Sequence, residues 1–179
     1  RALRRAHSRF PGIVVMPQCR SEDVWWSPKM TQMVSRIMQA TNAEYNLDHD
    51  RVYLTGLSLG GGGCWHFATA MPNAFAAVAP ICAISDARIG RPGLAPRLKD
   101  VPLWVFHGGA DQAVPVADSQ EMVRAIREAG GNVQYTEYPG AGHTIWDRVY
   151  DDMDFWRWLR AQSRGAPPAA PTTPPSGSE

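Results

Sequence analysis

The sequence is short of several things. No apolar run approaches the ~20 residues that a membrane-crossing helix requires. Neither charge sign dominates: 18 Lys and Arg against 17 Asp and Glu leave a net +1, so no strong attraction to nucleic acid or to an anionic bilayer is implied. The small cluster Arg1, Arg4, Arg5 and Arg9 reads as the solvated face of a short helix rather than an anion site. Cysteine is scarce. Cys19, Cys64 and Cys82 are odd in number and lack zinc-ligand spacing, so they read mainly as small buried hydrophobes. His7, His49 and His66 share no ligand spacing either, and neither a metal nor another cofactor is expected. No internal repeat is evident. No signal peptide is visible, which says nothing about a leader because the chain starts at Arg1 rather than Met.

What is present is enough apolar material for one core: 179 residues, 44% of them hydrophobic. Short β-rich runs alternate with one-sided helical patterns. Strands are predicted at 12–17, 51–56, within 75–84, at 102–108 and at 133–139. Ser27 as N-cap and Pro28 at the first helical position open a helix whose Met30, Met33, Val34, Ile37 and Met38 form one stripe. Further helices are predicted from Ser58 to about Ala70, over 115–131 with a Gly130–Gly131 stop, and from Trp146 to about Gln162. Residues 1–10 also read as helix. Apolar strands followed by amphipathic helices imply a three-layer αβα sandwich around a mostly parallel sheet. The expected domain is 1–162. Residues 163–179 hold a proline-rich segment without apolar periodicity, expected to be a disordered tail or a linker to a further domain.

Chemistry concentrates around "YLTGLSLGGGGCWHFA" (53–68). "GLSLG" fits G-x-S-x-G in the setting this motif requires, a strand, a sharp turn and a helix. A nucleophilic serine must stand clear of the sheet. Ser58 is therefore expected in a strained backbone conformation, with Gly56 and Gly60 allowing strand and helix to approach. The helix that follows would aim free N–H groups at the site, and the Leu59 N–H is the candidate oxyanion donor. A serine needs a base oriented by a third group. Asp111, just beyond the strand in "VFHGGADQAVP", and His143, in "YPGAGHTIWD" after the last strand, supply these in chain order. Both loops belong to the carboxyl edge of the sheet, where ligands bind. Asp86 and Asp118 compete for the acid role. His107 reads as a brace for the acid loop rather than a titrating group. Trp25, Trp26 and Trp146 flank the same edge and could line an acyl or aryl pocket, whereas Trp65 reads as core.

Together "DHDRVYLTGLSLGGGGCW", "VFHGGADQAVP" and "GAGHTIWDRVY" resemble the α/β-hydrolase superfamily. Over about Pro11 to Leu159 they resemble its branch of dienelactone-hydrolase-like, feruloyl-esterase-like and polyhydroxybutyrate-depolymerase-like carboxylesterases, which includes predicted peptidases and phospholipase/carboxylesterase relatives. "VVMPQCRSEDVWW" is similar to the segment before the nucleophile region in that branch. The resemblance implies Ser58 as nucleophile, His143 as base, Asp111 as acid and Leu59 as one oxyanion N–H. It also implies a small-molecule or polymer-borne ester as substrate.

One departure stands out. The family's second oxyanion donor follows a strand that precedes "PQC" in sequence and lies between that segment and the nucleophile strand in the sheet. Ten residues before Pro11 leave no room for it. The expectation is an N-terminally truncated α/β-hydrolase fold with five strands, and a gap or unnatural pairing between 12–17 and 51–56. Loss of one oxyanion donor costs about 3 kcal/mol of transition-state stabilisation. Ester hydrolysis is thus the first reading. A serine peptidase using the same triad and a non-catalytic or inactive fragment are the alternatives. The Pro/Ala/Thr tail tilts the undecided compartment toward secretion over the cytoplasm.

Overall fold

The computed structural model describes residues 12–85 and 92–165. The expected helix at 1–10, the competitor Asp86 and most of the proline-rich tail lie outside them. The elements are α1 (Pro28–Glu44), β1 (Tyr53–Leu57), α2 (Leu59–Ala70), β2 (Ala77–Ile81), a short 3-10 turn, α3 (Ala95–Leu98), β3 (Leu103–Gly108), α4 (Val116–Glu128), β4 (Val133–Tyr138), α5 (Trp146–Asp151) and α6 (Met153–Ala161). Among the described residues four parallel strands stand in the order β1-β2-β3-β4.

Alternation along the strands divides the core between the two sheet faces. Val78, Leu103 and Val105 face Cys64, Trp65 and Phe67 of α2 and Met122, Val123 and Ile126 of α4. Ala77, Ala79, Ile81, Trp104 and Phe106 face Val149 and Tyr150 of α5 and Phe155, Trp156, Trp158 and Leu159 of α6. This is the predicted three-layer sandwich. β2 and β3 are wholly buried, whereas the outer strands β1 and β4 are mostly half-buried.

Helix boundaries follow the predicted signals. Ser27 caps α1, its hydroxyl accepting from the Met30 N–H at 3.3 Å, and Pro28 takes the first helical position. Of the α1 stripe only Met30 is fully buried; Val34 and Met38 pack partly against the first core. Gly130, at φ 85°, ends the α4 region as expected. The helix predicted over Trp146–Gln162 is two helices. Asp152 leaves helical geometry (φ −75°, ψ 122°) and caps α6 by accepting from the Asp154 N–H at 2.8 Å.

The five-strand expectation fails at 12–17. These residues form no strand, and Ile13, Val14, Val15 and Met16 are 45%, 45%, 46% and 64% exposed. A β-rich pattern becomes a strand only against a ladder partner. Among the described residues nothing pairs with the outer side of β1.

Of the two motif glycines, Gly60 needs revision. A Cβ on Gly60 would meet nothing closer than 3.9 Å, whereas one on Gly56 would lie 2.4 Å from the Gly60 carbonyl oxygen. The close approach is therefore one-sided, made by Gly56. A Cβ on Gly61 would lie 2.7 Å from Ala83 Cα, and one on Gly63 would lie 2.9 Å from the Trp25 ring. These two glycines seat α2 on the end of β2 and under Trp25. Gly61→Ala is expected to lower stability by about 1–3 kcal/mol. Gly93→Ala, whose Cβ would meet nothing within 4 Å, should change it by less than about 0.5 kcal/mol. Urea unfolding of the two variants checks this difference.

Candidate active site

The site lies where the chain leaves β1, β3 and β4 at their carboxyl ends. Ser58 sits between β1 and α2 with φ 54° and ψ −117°, a backbone conformation costly for a residue with a Cβ. It is held there by its own peptide groups. The Ser58 N–H donates to the Ile81 carbonyl at 2.9 Å, and its carbonyl accepts from the N–H groups of Gly62 (3.1 Å) and Ile84 (3.3 Å). The first N–H groups of α2, beginning with Leu59, have no intrahelical acceptor.

Two loops interlock beyond β3 and β4. The Gly109 N–H donates to the Tyr138 carbonyl and the Ala110 N–H to the Ala141 carbonyl, each at 2.9 Å. A Cβ on Gly108 would lie 2.1 Å from the Gly142 carbonyl oxygen, so only glycine lets the second loop lie so close over the first. This contact carries His143 to Asp111. The His143 Nδ1 is 2.7 Å from Asp111 Oδ2. An ionised carboxylate only accepts, so Nδ1 carries a proton, and in the neutral ring Nε2 is the acceptor. The Asp111 side chain is fully buried, while the His143 side chain keeps 21% exposure.

Burial pushes the Asp111 carboxyl up. The Val114 N–H, the His143 ring and the Ala113 N–H, all donating to it, outweigh burial and leave it below its ordinary value. Asp111 Oδ1 accepts from Ala113 at 2.8 Å and from Val114 at 2.9 Å. Asp111 is the carboxylate hydrogen-bonded to His143 among the described residues. Its competitor Asp118 lies in the first turn of α4.

The sheet edge therefore brings Asp111 and His143 into direct contact and sets Ser58 on the elbow of β1. The Ser58 hydroxyl makes no hydrogen bond to a described residue. Trp146 stands edge-on to His143, with ring centroids 6.1 Å apart. Trp25 instead lies along α2, over Gly63 and edge-on to Phe67 at 6.2 Å. Trp26 is half-buried and makes no ring contact among the described residues. Trp65 is core, 1% exposed.

Two neighbours escaped the sequence reading. Cys82, at the end of β2, has a positive φ of 43° and is fully buried. Burial, with the Asp111 charge beside it, pushes its thiol up to about 12. Ser119 is buried on α4 and bonded to His107. A serine within the inward stripe of Met122, Val123 and Ile126 was the available signal for it. Nothing in the residues around Cys82 marks it. Atoms of Cys82, His107 and Asp111 lie within 4.8 Å of one another, close enough to hold a metal ion. Both His107 nitrogens and both Asp111 oxygens are already hydrogen-bonded within the protein. This donor set fits a hydrogen-bond shell, not a metal ligand set.

A parallel sheet with helices on both faces, a serine on the first strand–helix elbow, and an acid and a histidine beyond later strands together define an α/β-hydrolase fold. The sequence profile of the dienelactone hydrolase family matches residues 7–153, and the chain belongs to that family. It is 28% identical over 170 residues to the bifunctional acetylxylan esterase/xylanase XynS20E of Neocallimastix patriciarum, covering 88% of this chain and 24% of that protein. A crystal structure of a thermostable esterase superposes with TM-score 0.69 at 38% identity, over 76% of this chain and 37% of the other. Arabidopsis thaliana SOBER1 superposes at 0.60 with 22% identity, over 75% and 64%. The chain thus spans less than two thirds of each of these relatives.

The Asp111 shift fixes a pH dependence. A carboxyl lowered by folding stabilises the native state above its ordinary value near 3.9, and this is lost as pH falls through the lowered value. Asp111→Asn is expected to be less stable at neutral pH and to lose less stability than the parent on acidification from about pH 5 to pH 2. Urea midpoints across that range check the sign.

Proposed function

We propose that the chain is the catalytic part of a serine carboxylic-ester hydrolase. The observation carrying this reading is the Asp111–His143 pair, 2.7 Å apart with the carboxylate fully buried, on the same sheet edge as a serine in a strained elbow. In this mechanism Ser58 Oγ attacks the ester carbonyl carbon while His143 Nε2 takes the hydroxyl proton. The Leu59 N–H faces the oxyanion of the tetrahedral intermediate. Collapse breaks the bond to the alcohol, which leaves with the proton from His143, and the acyl group stays on Ser58. Water then gives a proton to His143 and attacks the acyl carbon; the acid departs and Ser58 recovers its proton. Asp111 holds the imidazole tautomer and stabilises the imidazolium. No cofactor takes part.

Trp146 beside His143 favours an acyl or aryl group packed on its ring. The likeness to an acetylxylan esterase/xylanase supports a short acyl ester, including one borne on a polymer. The proline-rich segment at the end of the sequence suits a link to a further domain. A second reading, an inactive relative, draws support from the oxyanion site: among the described residues the Leu59 N–H is the one backbone donor proposed for it.

Fluorophosphonate labelling decides between these readings. The active reading expects labelling that Ser58→Ala abolishes, and p-nitrophenyl acetate cleaved in preference to a peptide anilide. Preference for the anilide would make the protein a peptidase. Absence of labelling in the folded protein, both as this chain and extended upstream, would establish the inactive relative.

A further inference from the structure

His107 is the penultimate residue of β3, just before the acid loop, and it is fully buried. Its Nε2 lies 3.1 Å from the Val114 carbonyl oxygen and 3.3 Å from Asp111 Oδ2. Both atoms only accept, so Nε2 carries the proton; it donates to the Val114 carbonyl and faces the Asp111 carboxylate in close electrostatic contact. Nδ1 lies 2.7 Å from the Ser119 hydroxyl. In the neutral ring Nδ1 is the acceptor and the Ser119 O–H donates. The tautomer is therefore set from both sides, by a carbonyl on the acid loop and a hydroxyl on α4.

Val114 closes the arrangement. Its N–H donates to Asp111 Oδ1 at 2.9 Å, while its carbonyl accepts from His107. The Val114 peptide unit thus links His107 to Asp111 through two hydrogen bonds. Asp111 Oδ2 accepts from the His143 Nδ1–H at 2.7 Å and lies 3.3 Å from His107 Nε2 on its buried side. A carboxylate held on both oxygens cannot rotate about its Cβ–Cγ bond without breaking a buried hydrogen bond. Cys82 packs against the same carboxylate from β2, and Glu137 lies close to His107 from β4.

We propose that His107 is a positioning residue which, with its tautomer fixed by Ser119, locks the plane of Asp111 and thereby the orientation of His143. This rests on the reading of Asp111 and His143 as one catalytic pair. It extends the simple bracing role by naming the atom that is held and the group that sets the tautomer.

Two variants of similar size separate positioning from packing. His107→Leu removes the donor. His107→Gln returns an N–H near the place of Nε2. With p-nitrophenyl acetate, His107→Leu is expected to lower kcat about tenfold with KM within about twofold, and His107→Gln to recover most of the loss. Ser119→Ala should fall between them. The downfield proton resonance of the His143 Nδ1–H on Asp111 gives a readout independent of turnover. It should broaden or vanish in His107→Leu and persist in His107→Gln. If no variant has esterase activity but the resonance follows this pattern, the positioning role stands and the hydrolase reading falls. A folded His107→Leu with unchanged resonance, or identical behaviour of the Leu and Gln variants, overturns the proposal.

Discussion

The site depends on two loops lying in contact over a position that has no side chain. Gly108 ends β3, and the loop that follows β4 passes directly above it. Two backbone hydrogen bonds join the loops. Neither Asp111 nor His143 comes from a regular element, so neither has a scaffold of its own. Each borrows rigidity from the other loop. The paired side chains are then the outcome of a backbone fit, and the buried carboxylate tolerates its ionised form because the folded loop supplies the N–H groups that satisfy it.

Ser58 is fixed by a different means. Its peptide N–H and carbonyl are both engaged by the chain around the end of β2, so the strained conformation is imposed by neighbours rather than chosen by the serine. Cys82 shares this environment and is itself at positive φ. Two adjacent strands therefore end in unfavourable backbone conformations at the same edge. The sheet interior, where β2 and β3 are buried throughout, supplies the stability that such an edge consumes.

Much of this was legible in the residues. Strand and helix alternation, the Ser27 cap, the Gly130 stop, and the pairing of the Asp111 and His143 loops are local or topological consequences of sequence pattern. What was not legible depends on partners. Ile13–Met16 has a strand's composition and no strand's geometry, because a ladder needs a neighbour that composition cannot announce. The break at Asp152 hides in a helical stripe, since Asp is tolerated within a helix and only its capping bond reveals the end. Gly60 matched a motif position without the steric need assigned to it, whereas the close helix packing expected of the glycines that follow is met at Gly61 and Gly63. Ser119 carried a signal that went unread, one hydroxyl in an apolar stripe.

The strand order has a kinetic consequence. Each strand pairs with the next in sequence, and the registers Tyr53 with Ala77, Val78 with Leu103 and Leu103 with Val133 enclose crossovers of similar length. Doubling a loop adds only about 0.6 kcal/mol to its closure cost, so entropy scarcely distinguishes the three closures. Apolar burial does distinguish them, and it is greatest where β2 meets β3. Ser58 hangs from the outer strand on one side and His143 from the outer strand on the other. Assembly that starts at the centre must bring in both flanks before the reacting groups share one edge, so fraying of either outer strand disassembles the site while the middle of the sheet still stands.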